Sequence, residues 1–195
     1  MIISFKRRFV FVHIPKTGGT SLATALEERA AADDILVGDT PKAQRRRKRQ
    51  QTINAPGRLW KHSTLRDVAG IYLTDAFVFT LIRNPWDRLV SYYHWLREQG
   101  FDHPAVQVAQ NTDFGEFLRD ASVQAAVRQH DYASYVSDAV GQERCDLFAR
   151  LEHPDDLEPL WQHLGFALSI PQINRSERNG DWRGYCAAGS YEIVR

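Results

Sequence analysis

Cysteine is scarce in this sequence, which holds only Cys145 and Cys186 among its 195 residues. The two cysteines are not spaced as metal ligands, and they are too few for the disulfide scaffold of a small secreted domain. We therefore expect two reduced thiols in a cytoplasmic protein, because thiols stay reduced in that compartment. No metal site is predicted.

Long hydrophobic runs are missing as well. No apolar stretch approaches the roughly 18 residues that suggest a membrane span. Three basic residues, Lys6 to Arg8, precede an apolar run as in a signal peptide, but that run covers only residues 9–14. A signal peptide has an apolar region of about 7–15 residues followed by a small-residue cleavage site. We predict a buried first strand here and no transmembrane segment.

Net charge is nearly absent: 25 Lys and Arg balance 24 Asp and Glu, for a formal charge of +1. This balance argues against a protein that coats nucleic acid by bulk electrostatics, although it allows a locally basic pocket. Hydrophobic residues make up 43% of the chain, which is ordinary for a soluble globular protein. The length predicts a single domain over residues 1–195 with a substantial core.

One segment of the chain is strongly basic. Residues 41–57 hold almost no apolar side chains and include five consecutive basic residues, Arg45 to Arg49. A block of like charges is typical of a solvated loop, so we predict a flexible basic insertion here. Two functional alternatives stay open. One is a lip that attracts an anionic substrate or lipid surface, and the other is a nucleic-acid-binding or localisation segment.

Residues 9–21 combine an apolar run, a glycine-containing turn and the start of a helical pattern. Glycines let a ligand approach the backbone, and the first turn of a helix presents N–H groups and the positive end of its dipole. A lysine adds a full charge, and hydroxyl groups add donors. We predict that a phosphate-like or sulfate-like group is held here by Lys16, Thr17, Gly18, Gly19, Thr20 and Ser21.

Strand patterns alternate with helical patterns along the chain. Strands are predicted at residues 9–14, 77–82 and 146–151, with a weaker one at 35–37. Helices are predicted where apolar residues recur at helical spacing, at residues 19–31, 85–99 and 154–164. The alternation predicts an α/β fold: a three-layer, P-loop-like domain with a central parallel sheet flanked by helices.

A second turn follows the strand pattern that ends at Ile82. Arg83 comes directly after it, Asn84 suits a helix N-cap and Pro85 suits the first helical position. Ligands of open parallel sheets bind beyond the carboxyl ends of the strands. If these two strands are neighbours, Lys16 and Arg83 project into one crevice, which suits a ligand with two separated anionic groups.

The first turn departs from the usual nucleoside triphosphate loop, G-x-x-x-x-G-K-[ST], because Lys16 precedes the glycines. No apolar run ends in an aspartate suited to magnesium, since the later strands end in Arg83 and Glu152. Both departures favour transfer of a group less highly charged than phosphoryl, with no evident metal. A small-molecule P-loop kinase and a nucleotide- or anion-binding module without turnover are the alternatives.

Two motifs of the chain resemble those of a known family. Residues 13–21 (HIPKTGGTS) resemble the 5′-phosphosulfate loop of the PAPS-dependent sulfotransferases, and residues 83–93 (RNPWDRLVSYY) look like their 3′-phosphate motif. The resemblance is to the carbohydrate branch, similar to the heparan-sulfate 2-O- and 6-O-sulfotransferases. It extends from Phe9 to about Cys186, and its C-terminal part comprises Leu151-Glu152, Leu164-Gly165 and residues 171–176 (PQINRS).

The resemblance implies a donor and a role for each motif. The donor would be PAPS and the product adenosine 3′,5′-bisphosphate, with no metal required. Lys16 would contact the 5′-phosphosulfate and stabilise charge on the bridging oxygen, while backbone N–H groups from Thr17 to Ser21 hold the phosphate. Arg83 and Ser91 would bind the 3′-phosphate, for which a guanidinium offers planar, paired donors.

Sulfuryl transfer to a hydroxyl also needs a base, and histidine is the usual candidate because its pKa of about 6.5 lies near working pH. The chain has seven histidines. The family branch places one between the two motifs, before a short helix, and His62 matches that placement. The resemblance thus implies His62 as the catalytic base. A structural capping or packing role is the alternative for His62, and a carboxylate such as Glu28 is then the fallback base. It also implies a carbohydrate or glycoconjugate acceptor, neutral or anionic.

The C-terminal part shows one departure from the family. Family members usually continue further after the segment that here spans Asp181 to Cys186, whereas this sequence stops at Arg195. Because that region often helps to close the cofactor and acceptor sites in the family, we expect a truncated lid, which is either short or absent from this sequence. Arg178 and Arg183 are weaker candidates for additional phosphate contacts.

Overall fold

The computed structural model describes residues 1–173 and 181–185. The chain divides into two compact units. Unit 1 comprises Met1–Ile82 and Tyr132–Asn174, and unit 2 comprises Arg83–Asp131 and Arg175–Arg195. The expectations for residues 174–176, Arg178 and Cys186 fall outside the described residues, as does most of the predicted lid. The single-domain organisation stays a prediction.

The strands and helices follow one another much as the sequence predicts. Unit 1 begins with β1 (Ile2–Ser4), β2 (Phe9–Val12), α1 (Gly19–Glu28), β3 (Ile35–Leu36), α2 (Pro41–Gln50) and β4 (Phe77–Ile82). Unit 2 contains α3 (Pro85–Arg97), α4 (Pro104–Asn111), α5 (Phe114–Arg119) and α6 (Ala121–Gln129). The chain then returns to unit 1 with α7 (Tyr132–Val136), β5 (Leu147–Arg150) and α8 (Glu158–Leu164). Short 3₁₀ turns occur at Arg66–Val68, Pro154–Leu157 and Trp182–Tyr185.

The sheet of unit 1 is mixed, so the prediction of a parallel sheet is wrong in this respect. Its order is β3-β1-β2-β4-β5, in which β2, β4 and β5 are parallel and β1 runs antiparallel to both β2 and β3. The three-residue strand β1 was not predicted because it is too short to show a period. It returns into β2 through a tight turn, where Arg8 takes a positive φ of 53°. The five strands and flanking helices make an α/β fold.

The core of unit 1 lies on both faces of the sheet, which explains the continuous apolar run in β2. Phe9 and Phe11 pack with Leu22 and Leu26 of α1 and with α8 on one face. Val10 and Val12 pack on the other face, with α7 and residues 53–73. Every residue of β2 is buried. Full burial of one such side chain contributes about 1.5–3 kcal/mol, so the strand that precedes the first turn is firmly held.

The basic segment forms helix α2 over Pro41–Gln50, and the prediction of a loop is wrong there. Ala43 is buried, while the Lys42 ammonium donates to the Glu27 carbonyl near the end of α1. The Arg46 guanidinium donates to the carbonyls of Ala31 and Asp34, at 2.8 and 3.1 Å. These basic side chains satisfy backbone acceptors, and cations are favourable beside the negative end of a helix. The prediction was wrong because it relied on the spacing of apolar residues, whereas α2 is held by contacts of its basic side chains.

Unit 2 is built on α3, and its start agrees with the prediction. The Asn84 carboxamide oxygen accepts from the N–H groups of Trp86 and Asp87, at 3.0 and 3.4 Å, and Pro85 occupies the first turn. Leu89, Val90, Tyr93 and Leu96 are buried on one face of α3. They pack with α4, α5 and α6 around Val106 and Phe117. Over the described part of the chain, no helix is both long and apolar enough to cross a bilayer.

Candidate active site

The turn that follows β2 starts at the same edge of the sheet as the turn that follows β4. The two strands are parallel neighbours, with Val12 paired to Thr80. The Thr80 hydroxyl donates to the Val12 carbonyl at 2.7 Å, which joins the two strand ends. The condition that the two predicted strands be neighbours is therefore met. Ligands of α/β sheets bind at such an edge.

The first turn is held by its own backbone and by one buried hydroxyl. Thr17 is fully buried, and its hydroxyl donates to the Ile14 carbonyl at 2.9 Å. Lys16 has a φ of 66° and Gly18 a φ of 79°, both in the left-handed region. A lysine in this region costs about 1 kcal/mol or more, and such strain recurs at ligand-binding sites.

Helix α1 begins without a side-chain cap. Its N-cap is Gly18, so no side-chain oxygen accepts from the first-turn N–H groups of Gly19 and Thr20. The Ser21 N–H donates to the Gly18 carbonyl at 3.1 Å, and the Ser21 hydroxyl accepts from the Ile173 N–H at 3.2 Å. The predicted phosphate contact through the Ser21 N–H therefore competes with a contact inside the turn. Gly19 and Thr20 offer the better donors.

Gly18 and Gly19 require glycine for different reasons. A Cβ at Gly19 would lie 2.3 Å from Cδ2 of His13, whose ring is buried. A Cβ at Gly18 would lie 2.7 Å from Cδ1 of the exposed Leu151, a side-chain end that can move, but its φ of 79° strains any residue other than glycine. The turn packs the His13 ring directly against the start of α1.

His62 is connected to the first turn through His13. Its Nδ1–H donates to the His13 carbonyl oxygen at 2.7 Å, and the two ring centroids are 4.8 Å apart. Because Nδ1 carries the proton, Nε2 of the neutral ring carries the lone pair. This tautomer leaves Nε2 as the nitrogen that can accept a proton.

Both histidines of the His62–His13 pair have lowered pKa values, which favour the uncharged rings. Burial lowers the pKa of His62 to about 4, with a smaller contribution from the Lys61 charge, although the bond to the His13 carbonyl opposes this shift. Burial also lowers the pKa of His13 well below its usual range. Both rings are therefore neutral at pH 7, and the lone pair of His62 can accept a proton.

The fallback base, Glu28, is badly placed, and that interpretation is wrong. Glu28 is exposed and is the last residue of α1, whereas the turn lies at the first residue, Gly19. With a rise of about 1.5 Å per residue, the nine intervening steps separate the two ends by roughly 13 Å. A carboxylate at that distance does not reach a proton beside the turn.

The guanidinium of Arg83 is paired with a carboxylate in unit 2. Its Nε lies 2.7 Å from Oδ2 of Asp87, and a terminal nitrogen lies 2.6 Å from the same oxygen. Both side chains are only 15% exposed. Asp87 therefore orients the Arg83 guanidinium rather than leaving it to move freely in solvent.

Ser91 lies on the buried side of α3. It is 7% exposed, and its neighbours Val90 and Tyr93 are 0% and 4% exposed. Val90 and Tyr93 thus turn inward, as the apolar pattern indicates. The nucleotide-binding role of Ser91 stays a prediction, as do the roles of the other site residues.

A family model supplies independent evidence on this chain. The model described as "Sulfotransferase family" matches residues 1–153, which include both turns and His62. The chain belongs to the sulfotransferase family. This membership supports sulfotransfer as the general activity, and it favours sulfotransfer over the kinase alternative. No curated protein matches the chain.

Four contacts of this candidate site were missed from sequence. The spacing of Arg83 and Asp87 is i,i+4 on a predicted helix start, which is a usable signal for an ion pair. The contacts of Gly19 with His13 and of Gly18 with Leu151 carry no such signal, because backbone conformation and the sheet order create them. The His62–His13 bond joins residues 49 positions apart and is equally invisible.

Proposed function

We propose that this protein is a PAPS-dependent sulfotransferase that acts on a hydroxyl group of a carbohydrate or glycoconjugate. The observation that supports this most strongly is the His62 ring, held in the base tautomer by the His13 carbonyl beside an uncapped glycine turn. A base and an anion cradle in one place are what transfer of an anionic group to an alcohol needs. We also propose a cytoplasmic location.

The residues of the first turn fit the 5′-phosphosulfate end of PAPS. The His13 ring packs against Gly19, where a Cβ would lie 2.3 Å from it, so the first turn of α1 keeps the bare backbone that suits close approach of an anion. The N–H groups of Gly19 and Thr20 have no side-chain acceptor at the N-cap. Lys16 would add the charge that stabilises the bridging oxygen. When bound, PAPS supplies an activated sulfuryl group.

Arg83 and Ser91 are proposed to bind the 3′-phosphate. Arg83 follows β4, whose end adjoins that of β2 in the sheet. The pairing with Asp87 keeps its guanidinium in one orientation, which suits paired hydrogen bonds to phosphate oxygens. The 3′-phosphate distinguishes PAPS from ordinary adenine nucleotides, so these two residues would set donor selectivity.

In the proposed mechanism His62 takes the proton from the acceptor hydroxyl onto Nε2. The acceptor oxygen forms its bond to sulfur in line with the bond that breaks to the bridging phosphate oxygen. Lys16 stabilises the electron pair that this oxygen retains. The pKa of His62 is low in the free protein, and nearby negative charge raises the pKa of a histidine. An anionic donor would thus make His62 a stronger base.

Nucleotide selectivity tests the donor assignment. Thermal unfolding would be followed with adenosine 3′,5′-bisphosphate, AMP, or ATP without magnesium. At about a hundred times its dissociation constant a ligand adds ~2.7 kcal/mol of stability, and we expect this response only for the bisphosphate. An equal response to AMP contradicts the roles of Arg83 and Ser91.

The variant His62→Asn tests the base. The Asn amide can still donate to the His13 carbonyl, but it cannot take a proton. We expect turnover of radiolabelled PAPS to fall about 10²–10⁴-fold, with binding of adenosine 3′,5′-bisphosphate retained. The matched control is His103→Asn, because His103 is an exposed N-cap of α4 and Asn also caps helices well. Equal turnover in the two variants refutes the assignment.

A further inference from the structure

Helix α2 lies in a segment that carries many positive charges and no negative ones. Residues 40–66 include nine Lys and Arg and no Asp or Glu, whereas the rest of the chain has 16 Lys and Arg and 24 Asp and Glu. The segment therefore has a formal charge of +9, and the rest of the chain has a formal charge of −8. Such a separation of charge favours association with an anionic partner.

One side of α2 is fixed to unit 1. The Lys42 and Arg46 side chains lie on this side, where they donate to carbonyls of α1 and of the connection from α1 to β3. Ala43 is buried, and the side-chain amide of Gln50 donates to the Leu36 carbonyl. These four positions of α2 recur at the spacing of one helix face. The body of the protein thus holds the inner side of α2 in place.

The remaining surface of α2 presents cations. Arg45, Arg47 and Lys48, which we call the outer face of α2, are all exposed. Among residues 1–173 and 181–185, no carboxylate forms an ion pair with any of the three. Like charges three or four positions apart destabilise a helix, so the stability of α2 does not explain the outer face. These cations are available to a partner.

We propose that the outer face of α2 binds the protein reversibly to the surface of a membrane that contains anionic lipids. The inference does not depend on the proposed function, because no residue of α2 belongs to the candidate active site. Each Lys or Arg close to such a surface adds to the attraction, which falls off within a Debye length. The same surface repels the excess negative charge of the rest of the chain, so α2 would face the lipid.

The placement of α2 favours a lipid surface over nucleic acid. A helix that reads duplex DNA enters the major groove, whereas α2 lies along the protein, with Ala43 buried and both Lys42 and Arg46 already bonded to carbonyls. Single-stranded nucleic acid binds where bases stack on aromatic side chains, and α2 has none. An anionic lipid surface requires only exposed cations.

The outer face has no apolar side chain to insert into the bilayer. Pro41 and Ala43 are the only non-polar residues of α2, and Ala43 is buried. The contact is therefore electrostatic alone, whereas stable anchoring takes further signals such as acyl chains. Binding should thus be reversible, and salt should weaken it strongly because salt shortens the Debye length.

Sedimentation with lipid vesicles would test the proposal. The vesicles contain phosphatidylcholine alone, or equal parts of phosphatidylcholine and phosphatidylglycerol, in about 0.1 M or about 1 M salt. The outer-face variant uses glutamine because it keeps helix propensity, and its substitutions are Arg45→Gln, Arg47→Gln and Lys48→Gln. The matched control makes the same change of net charge at three exposed cations outside residues 40–66, namely Lys6→Gln, Arg119→Gln and Arg128→Gln.

The proposal predicts a different result for each protein. Wild type should bind only the vesicles with phosphatidylglycerol, and only in the lower salt. Each charge removed from the outer face should weaken this binding about fivefold, so the outer-face variant should lose about a hundredfold. The control should bind like the wild type. The outer-face variant should unfold at no lower temperature than the wild type, because it relieves repulsion between like charges.

Other results would overturn the membrane contact. A wild type that does not bind the vesicles with phosphatidylglycerol refutes it, as do equal losses in the outer-face variant and the control. Binding that persists in about 1 M salt contradicts an electrostatic contact. Tighter binding, per phosphate, to a DNA duplex than to the vesicles assigns the outer face to nucleic acid instead. The thermal response to adenosine 3′,5′-bisphosphate tests the proposed function separately, and it should be the same in all three proteins.

Discussion

The turn after β2 and the turn after β4 hold their residues by different means. The first is shaped by the backbone, since Lys16 and Gly18 take positive φ angles and Gly19 leaves no room for a Cβ. The second is shaped by side chains, since the Asn84 carboxamide caps α3 and the Asp87 carboxylate orients Arg83.

The two turns are therefore sensitive to different kinds of substitution. A cradle of backbone N–H groups needs no partner charge but tolerates no added side chain. A guanidinium site tolerates changes of nearby shape but depends on the carboxylate that holds it. We therefore expect substitutions in the first turn to act through packing and backbone strain, and those in the second to act through charge.

Gly19→Ala should have the largest effect. The new methyl group would lie 2.3 Å from the buried His13 ring, and overpacking costs about 3 kcal/mol where neighbours cannot move. Chemical denaturation measures this loss, and nucleotide binding should vanish with it. Gly100→Ala is the control, because no described atom lies within 4 Å of its Cβ position and its φ is not positive. Similar stability of both variants contradicts the backbone account.

The second-largest effect is expected from acid, which should lower the free energy of unfolding through His62. The pKa of His62 falls from about 6.5 to about 4 on folding, so between these values the unfolded chain binds a proton that the folded chain does not. Stability is thus complete above pH 6.5 and is lost as pH falls towards 4. With allowance for partial exposure of the ring, the loss is about 2 kcal/mol.

The variant His62→Asn isolates this effect. Asn does not titrate, so the unfolding free energy of the variant should fall less steeply than that of the wild type between pH 6.5 and 4. His13 remains in both proteins, and its lowered pKa acts in the same direction. Parallel pH profiles for the two proteins would show that His62 is not the group responsible.

Asp87→Asn tests the second turn. The variant replaces a charge-assisted hydrogen bond to Arg83 by a neutral one, which should cost about 1.5 kcal/mol of unfolding free energy. The difference between the stabilisation by adenosine 3′,5′-bisphosphate and that by AMP should become smaller as well. Asp181→Asn is the control, because the Asp181 and Arg183 side chains are 58% and 68% exposed and such pairs contribute little. An equal loss of unfolding free energy in the two variants would contradict a specific role of Asp87 in holding Arg83.

Lys16 should show the smallest stability effect. Lys16→Gly and Lys16→Ala both remove the ammonium, but only glycine adopts a φ of 66° without strain. The glycine variant should be more stable than the alanine variant by about 1 kcal/mol, while both lose turnover. Equal stability would mean that the turn relaxes away from its positive φ once the lysine is removed.

The contrast between α2 and the strands shows where prediction from sequence succeeds. Strands β2 and β4 were predictable because each carries a nearly uninterrupted apolar run, which is typical of a strand covered on both faces. Helix α2 was not, because Lys42 and Arg46 pack by donating to carbonyls of distant residues. Strand β1 was missed because three residues show no period, and its antiparallel pairing makes the sheet mixed.

The candidate site divides in the same way. The glycine turn, its lysine, the Asn84 cap and the position of Arg83 could be read from the residues alone, because they depend on local chemistry at strand ends. The bond between His62 and His13 appears only in the folded chain. It joins residues 49 positions apart, and no local pattern of residues specifies a contact over that separation.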